Sequence, residues 1–201
     1  MGKGVLWMLI DITLKLTPEM LQDEKGNVSK SLVGHTGTHF DVMDKEFPLE
    51  YIERDGLVLD VSGVGERDID VTDVDLNAVE KDMFVAFYTG YIAKERYGTR
   101  TYFAQHPQLS VALIDALLDK GVSIIGLDFA GVRRGAEHVP TDRRCADKGV
   151  FVIENLCDLD KVLEFGGRFT AHTYPLNCTG VTGLPCRVIA KVAPRTIGYV
   201  G

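Results

Sequence analysis

The run Gly34-His35-Thr36-Gly37-Thr38-His39-Phe40-Asp41 places two imidazoles and a carboxylate within eight residues. A mixed nitrogen and oxygen set of this kind suits zinc, manganese or iron better than magnesium or calcium, and does not choose among the three. His35, Gly37, His39 and Asp41 alternate, so an extended chain would put them on one face. A straight strand would still hold His35 and His39 roughly 13 Å apart, at about 3.3 Å per residue. Ligands of one ion must each come within about 2 Å of it. A helix would bring positions 35 and 39 together but turn Asp41 aside. Chelation therefore requires a bend, and Gly37 is a residue that tolerates one. Thr36 and Thr38 can bond locally around it. The competing interpretation is a strand and turn with two surface histidines. The chain has only five histidines and two fall here, which adds weight to the metal.

Further ligands would have to come from elsewhere. Two apolar runs end in a carboxylate: Asp128 after 124–127 and Glu154 after 151–153. Burial raises the pKa of such a group unless a cation sits nearby. Either one alone reads first as structural, a helix cap or an ion pair to Arg133, Arg134 or Arg143. His138 reads as a solvated loop residue, and His106 and His172 are weaker candidates still. His172 alternates with core positions and suits a hydrogen-bonded sheet residue.

These side chains need elements to position them. Residues 5–12 read as a strand, 17–30 as a surface loop, and 31–33 as a strand entering the histidine segment. A short helical turn is expected over 47–52, because proline is tolerated at a helix start. Gly56 would end it, with a strand over 57–61. A short helix is expected over 73–80, capped by Asp73 or Asp75. The apolar run 83–88 reads as a buried strand, and 89–107 as a long loop of functional type. The clearest helix is 111–120, with Ser110 as cap and Gly121 as stop. Strands follow at 122–127, 150–153, 168–176 and 186–192, around a polar stretch at 131–149 and a Gly-rich turn at 179–183. Several strands with two or three helices imply one α/β or α+β domain spanning 1–201.

Composition narrows the partners. Acidic residues outnumber basic ones by 29 to 22, and no basic stripe is present, so nucleic acid is not an expected partner. No apolar run approaches the roughly 20 residues that cross a membrane. The N-terminal apolar run leads directly into Asp11 without a small-residue cleavage site, so it reads as a strand and not a signal peptide. Cys145, Cys157, Cys178 and Cys186 show no CxxC spacing, which fits reduced thiols in the cytoplasm.

Taken in order, these segments resemble the cyclase family of metal-dependent hydrolases, which includes bacterial kynurenine formamidase and isatin hydrolase. His35-Thr36-Gly37-Thr38-His39-Phe40-Asp41 resembles its HxGTHxD signature. Asp11-Ile12-Thr13, Phe87-Tyr88-Thr89-Gly90-Tyr91, His106-Pro107-Gln108-Leu109-Ser110 and Ile125-Gly126-Leu127-Asp128 resemble its DIS, RTGW, HPGLS and IGID segments. Ile153-Glu154-Asn155-Leu156 and residues 183–188 resemble ILENL and GSPVRV.

The resemblance implies a swivelling β/β/α fold, with helices around a β-barrel-like core, and a homo-oligomer, either dimer or tetramer. It implies that His35, His39 and Asp41 bind a divalent metal, zinc foremost and manganese as the alternative. Glu154 matches the carboxylate of the ILEN strand and would be the general base. The chain also departs from the pattern. The family signature usually carries a histidine four residues beyond the aspartate, where Lys45 stands here, and another twelve residues before the ILEN glutamate, where Asp142 stands. Lys45, or an arginine between 133 and 144, would steady an oxyanion or a substrate carboxylate. A second metal site would have to come from Asp142, Glu154 and His138, so one metal per chain is expected before two. The expected function is hydrolysis of a small amide or cyclic amide, arylformamidase-like. The alternatives are a metal-dependent lyase or dehydratase on the same site, and a non-catalytic metal-stabilised binding protein for a small molecule.

Overall fold

Apolar and alternating runs pair into a continuous sheet in the computed structural model, which describes residues 6–21 and 33–193. The strands are β1 (Met8–Asp11), β2 (His39–Asp41), β3 (Glu53–Asp60), β4 (Phe84–Tyr88), β5 (Ile124–Leu127), β6 (Phe151–Glu154), β7 (Arg168–Pro175) and β8 (Gly183–Val192). Their order is β1-β8-β2-β6-β5-β4-β3-β7, and β7 also pairs with β8. The sheet therefore closes into a barrel of seven strands, with β1 attached outside the ring along β8. One edge of β8 serves two partners in succession. Gly183 to Pro185 pair with β2, and residues from Ile189 onward pair with β1.

Strands β3 to β6 run parallel, and both faces of β4, β5 and β6 are covered, which is why these runs are continuously apolar. Inside the barrel, every strand of the ring contributes to one cluster that includes Phe40, Val58, Phe84, Ile124, Ile153, Phe169 and Val188. Outside it, a second cluster packs Val85, Phe87, Ile125, Leu127 and Val152 under Leu113, Ile114 and Leu117. Those three belong to the helix Val111–Lys120. Ser110 Oγ accepts the Leu113 N–H at 3.0 Å, and Gly121 stops the helix at φ +68°. In chain order the helices are α1 (Pro18–Leu21), α2 (Tyr91–Lys94), α3 (Arg100–Gln105), α4 (Val111–Lys120), α5 (His138–Asp147) and α6 (Leu159–Leu163). Among the described residues, no helix is long and apolar enough to cross a membrane.

Several sequence expectations change. The turn over 47–52 is present as a 3-10 turn, Leu49–Ile52. Gly56 does not end an element but lies inside β3, because the Phe169 ring sits where a Cβ would be, 2.4 Å away. The helix expected over 73–80 is two 3-10 turns, Val71–Asp73 and Leu76–Ala78, with Asp75 capping the second. The long loop 89–107 contains α2 and α3. The polar stretch 131–149 contains α5. A strand at 31–33 is not formed at Val33, which is in a turn, and residues 31 and 32 lie outside the described residues.

Gly126 in β5 has the same cause as Gly56: a Cβ there would lie 2.3 Å from the Phe84 ring and 2.7 Å from Leu156. Gly126→Ala is expected to destabilise by roughly 1–3 kcal/mol through overpacking, seen as a lower urea midpoint at unchanged slope.

Asp128, just past β5, makes no arginine pair among the described residues. It accepts the Thr89 and Gly90 N–H groups at 2.9 and 2.6 Å and the Thr89 hydroxyl at 2.5 Å, tying the end of β4 to α2. Burial nevertheless raises its carboxyl to about 6. The folded chain thus holds this proton more tightly than the unfolded one, so stability falls as pH climbs from about 4 through 6. Asn can keep these contacts, with its amide donating to the Thr89 hydroxyl. Asp128→Asn is expected to flatten that fall and to stabilise at pH 7.5 by up to about 3 kcal/mol, measured by urea unfolding at pH 4.5 and 7.5.

Candidate metal centre

The expected bend is present. Gly34 and Gly37 adopt φ +85° and +68°, and only His39–Asp41 is strand. Gly34 packs so closely on β8 that a Cβ would meet the Gly183 oxygen at 1.9 Å. The bend is not held by local threonine bonds as expected, at least at Thr38. Its hydroxyl donates to the Asn155 carbonyl at 2.7 Å and accepts the Leu14 N–H at 2.8 Å, both distant in sequence.

This bend folds His35 back over β2. Its Nδ1 lies 3.0 Å from His39 Nε2 and 3.0 Å from Asp41 Oδ1. One donor atom from each of the three residues lies within 4.8 Å of the others, the one such group of three among the described residues. In β2, Phe40 points into the barrel, so His39 and Asp41 share its outer face. The β2–β6 register sets Glu154 directly opposite His39, with Oε2 3.6 Å from His39 Nε2.

The tautomers fit a metal. His39 Nδ1–H donates to the Gly37 carbonyl at 2.8 Å, which leaves Nε2 with its lone pair facing His35 and Asp41. His35 Nε2 is engaged by the Thr182 hydroxyl at 2.8 Å, leaving Nδ1 toward the same point. Asp41 is about 1 % exposed, and neither of its oxygens takes a hydrogen bond. Burial alone would raise its carboxyl, but the His35 and His39 rings reverse this and hold it below the ordinary range. Electron-rich atoms converging at such distances in a buried place are what a divalent cation satisfies.

A second group adjoins this one. His138, read from sequence as a solvated loop residue, is the first residue of α5 and is only part-exposed. Its Nδ1–H donates to the Arg133 carbonyl at 3.1 Å, and its Nε2 lies 3.2 Å from Asp142 Oδ2 and 3.7 Å from Glu154 Oε1. Asp142 is one helical turn on, buried, and neither of its oxygens takes a hydrogen bond. Its carboxyl is raised, by burial first and by the negative charge of Asp41 second. Glu154 therefore stands between the His39 side and the His138 side.

Lys45 is not brought into this cluster. The turn closed by Lys45 N–H to the Val42 carbonyl carries its ammonium to Asp147, 2.8 Å away, and to Asp44 at 3.5 Å, on the surface. Of the four arginines in 133–144, Arg133 binds Asp68 and Glu137, Arg143 binds Asp44, and Arg144 binds Asp115. Only Arg134 in that run has no acidic partner among the described residues. His106 is buried and stacked on Phe129, its Nδ1–H bonded to the Pro107 carbonyl, and burial pushes it down to about 4. His172 in β7 faces Glu53 at 3.5 Å.

Sequence reasoning missed the residues that support the ligands. Thr182, Asn155, Tyr97 and Tyr102 all hold the bend. The two tyrosines, in the stretch 89–107, are both buried: the Tyr97 hydroxyl accepts the Gly37 N–H and the Tyr102 hydroxyl donates to Asn155 Oδ1, each at 2.7 Å.

Comparison with known proteins follows the same lines. Residues 10–133 match the Cyclase family, described as "Putative cyclase". A solved structure described as a potential metal-dependent hydrolase with cyclase activity superposes with a TM-score of 0.74 at 23% identity, covering 92% of this chain and 99% of its own. A predicted metal-dependent hydrolase from Bacillus stearothermophilus gives 0.73 at 23% identity, over 92% and 98%. Isatin hydrolase A from Labrenzia aggregata gives 0.72 at 19% identity, over 94% of each chain. These likenesses speak for the fold. No curated protein matches. With the family's match running through the chelating bend and more than half of the sequence, the chain belongs to the Cyclase family.

Proposed function

We propose that this protein is a metal-dependent hydrolase of a small amide or cyclic amide. The observation that carries this is the convergence of His35, His39 and Asp41 donor atoms within 4.8 Å, in a buried site whose aspartate takes no hydrogen bond. His35 Nδ1, His39 Nε2 and an Asp41 oxygen would hold zinc, or manganese as the alternative, with one ion per chain. A divalent ion there supplies Lewis acidity and lowers the pKa of a water toward about 7. Glu154, beside His39, would accept a proton from the attacking water as the water oxygen bonds to the carbonyl carbon. His138 Nε2, 3.7 Å from Glu154 Oε1, would receive that proton from Glu154 and hand it to the leaving nitrogen as the C–N bond breaks. The products are a carboxylate and an amine. Of the arginines between 133 and 144, Arg134 would bind a carboxylate on substrate or product.

The test is a turnover panel on protein loaded with Zn2+ or Mn2+, containing aryl formamides, isatin-type cyclic amides and hydroxy acids. Release of a carboxylate and an amine from an amide supports the proposal. Turnover of hydroxy acids alone would instead make the protein a lyase or dehydratase, and binding without turnover a carrier.

The same proposal includes a homo-oligomer and a cytoplasmic setting. Met8 and Leu9 are exposed on β1, with Trp7 just before it, and among the described strands β1 pairs only with β8, so an apolar edge is open to a second copy. Sedimentation would read the mass directly. The four cysteines carry free thiols, in keeping with a reducing compartment.

A further inference from the structure

We infer that Asn155 is the positioning residue that fixes the tautomer and orientation of His39, by locking the Gly37 peptide against rotation. The Gly37 carbonyl accepts two bonds at 2.8 Å, from His39 Nδ1–H and from the Asn155 side-chain amide. A carbonyl only accepts, so the NH2 end of Asn155 must be the one facing it. The other end, Oδ1, accepts the Tyr102 hydroxyl at 2.7 Å. On the far side of Gly37, its N–H donates to the Tyr97 hydroxyl at 2.7 Å.

This arrangement answers a weakness of the bend. Glycine crosses between backbone conformations at little cost, and Gly37 sits at φ +68° between two metal ligands. If its carbonyl swung away, His39 Nδ1 would lose its acceptor, and the ring could carry its proton on Nε2, where the metal lone pair must be. Asn155 is built to prevent this. It is about 1 % exposed and stands at φ +61°, a left-handed conformation that asparagine tolerates and that its surroundings hold in place. The constraint is visible: its N–H donates to the Phe129 carbonyl at 3.1 Å, and its own carbonyl accepts the Thr38 hydroxyl at 2.7 Å. Residue 155 is thus fixed to the segments at 129, 38, 37 and 102, directly beyond Glu154. Its side chain bonds to Gly37 and Tyr102, so it acts on His39 through Gly37.

The test uses the whole chain in metal-free form, with 15N-labelled histidine, and reads the His39 tautomer by two-bond 15N–1H correlation. It then measures Zn2+ affinity by chelator competition. Asn155→Gly removes both side-chain bonds while accepting φ +61° without strain. Tyr102→Phe removes only the hydroxyl and guards against a folding defect in the first variant. The parent should show His39 with its proton on Nδ1 alone. Asn155→Gly should show mixed tautomers and bind Zn2+ about 10- to 100-fold more weakly, with Tyr102→Phe shifted less in the same direction. A parent His39 protonated on Nε2, or an Asn155→Gly variant that keeps the Nδ1 tautomer and an affinity within about twofold, would overturn the inference. Only the affinity readout rests on the proposed metal centre. A parent with the expected tautomer that binds neither Zn2+ nor Mn2+ would end that proposal, and the tautomer shift in the variants would still decide this one.

Discussion

Asp41→Ala is expected to empty the centre of metal and cost at least roughly 1,000-fold in hydrolysis, about 4 kcal/mol of barrier, while the metal-free variant still unfolds cooperatively. The two halves of this result have one cause. Asp41 is buried, yet neither oxygen takes a hydrogen bond, and its neighbours are the His35 and His39 rings and the charge of Asp142. A carboxylate kept for stability would be paired with a donor or a cation, since burial without one is costly. Without metal, Asp41 raises the pKa of Asp142, and its removal relieves that repulsion. Elemental analysis should fall from about one ion per chain to near none, while chelator-treated protein keeps a cooperative urea transition. Retained metal and activity would show that the chelate is misassigned. Loss of cooperative unfolding in the metal-free variant would make Asp41 a structural residue instead.

What could be read from the sequence divides along the distance over which each feature is determined. The chelating run was legible because residue type and the position of Gly37 are local facts, and the α4 boundaries were legible because Ser110 and Gly121 are local caps. Gly56 was misread because its cause, the Phe169 ring, lies more than a hundred residues away. The stretch 89–107 was misread for another reason. Thr99 caps α3 by accepting the Tyr102 N–H at 3.1 Å, but a six-residue helix is too short to show a period. Its flanking Gly98 and Pro107 marked the ends of structure and not its absence. Asp128 and Glu154 look alike in sequence, each closing an apolar strand. Pairing separates them: β6 lies against β2 and delivers Glu154 to His39, while Asp128 meets the Thr89–Gly90 backbone. Lys45 was expected at the site because it stands where the family signature usually carries a histidine, and only the position of Asp147 on α5 shows where its ammonium goes.

Glu154→Gln is expected to lower kcat by roughly 100- to 10,000-fold while leaving metal content unchanged. Glutamine keeps the size of the side chain and an acceptor oxygen, so the β6 register and the contact with His39 survive; only the capacity to take a proton is lost. KM should change little, because the group removed acts on the water and not on substrate binding. The acid limb of the kcat/KM profile should also disappear, since that limb reports the essential base of the free enzyme. This pattern separates three roles that the geometry places within a few ångströms. If Glu154 were a ligand, metal content would fall along with activity, as in Asp41→Ala. If His138 were the base, Glu154→Gln would keep activity within about tenfold and the acid limb would move to His138→Gln. The proposed role requires both that metal remain and that the limb be lost, because Glu154 stands beside His39 on one side and His138 on the other, at 3.6 and 3.7 Å.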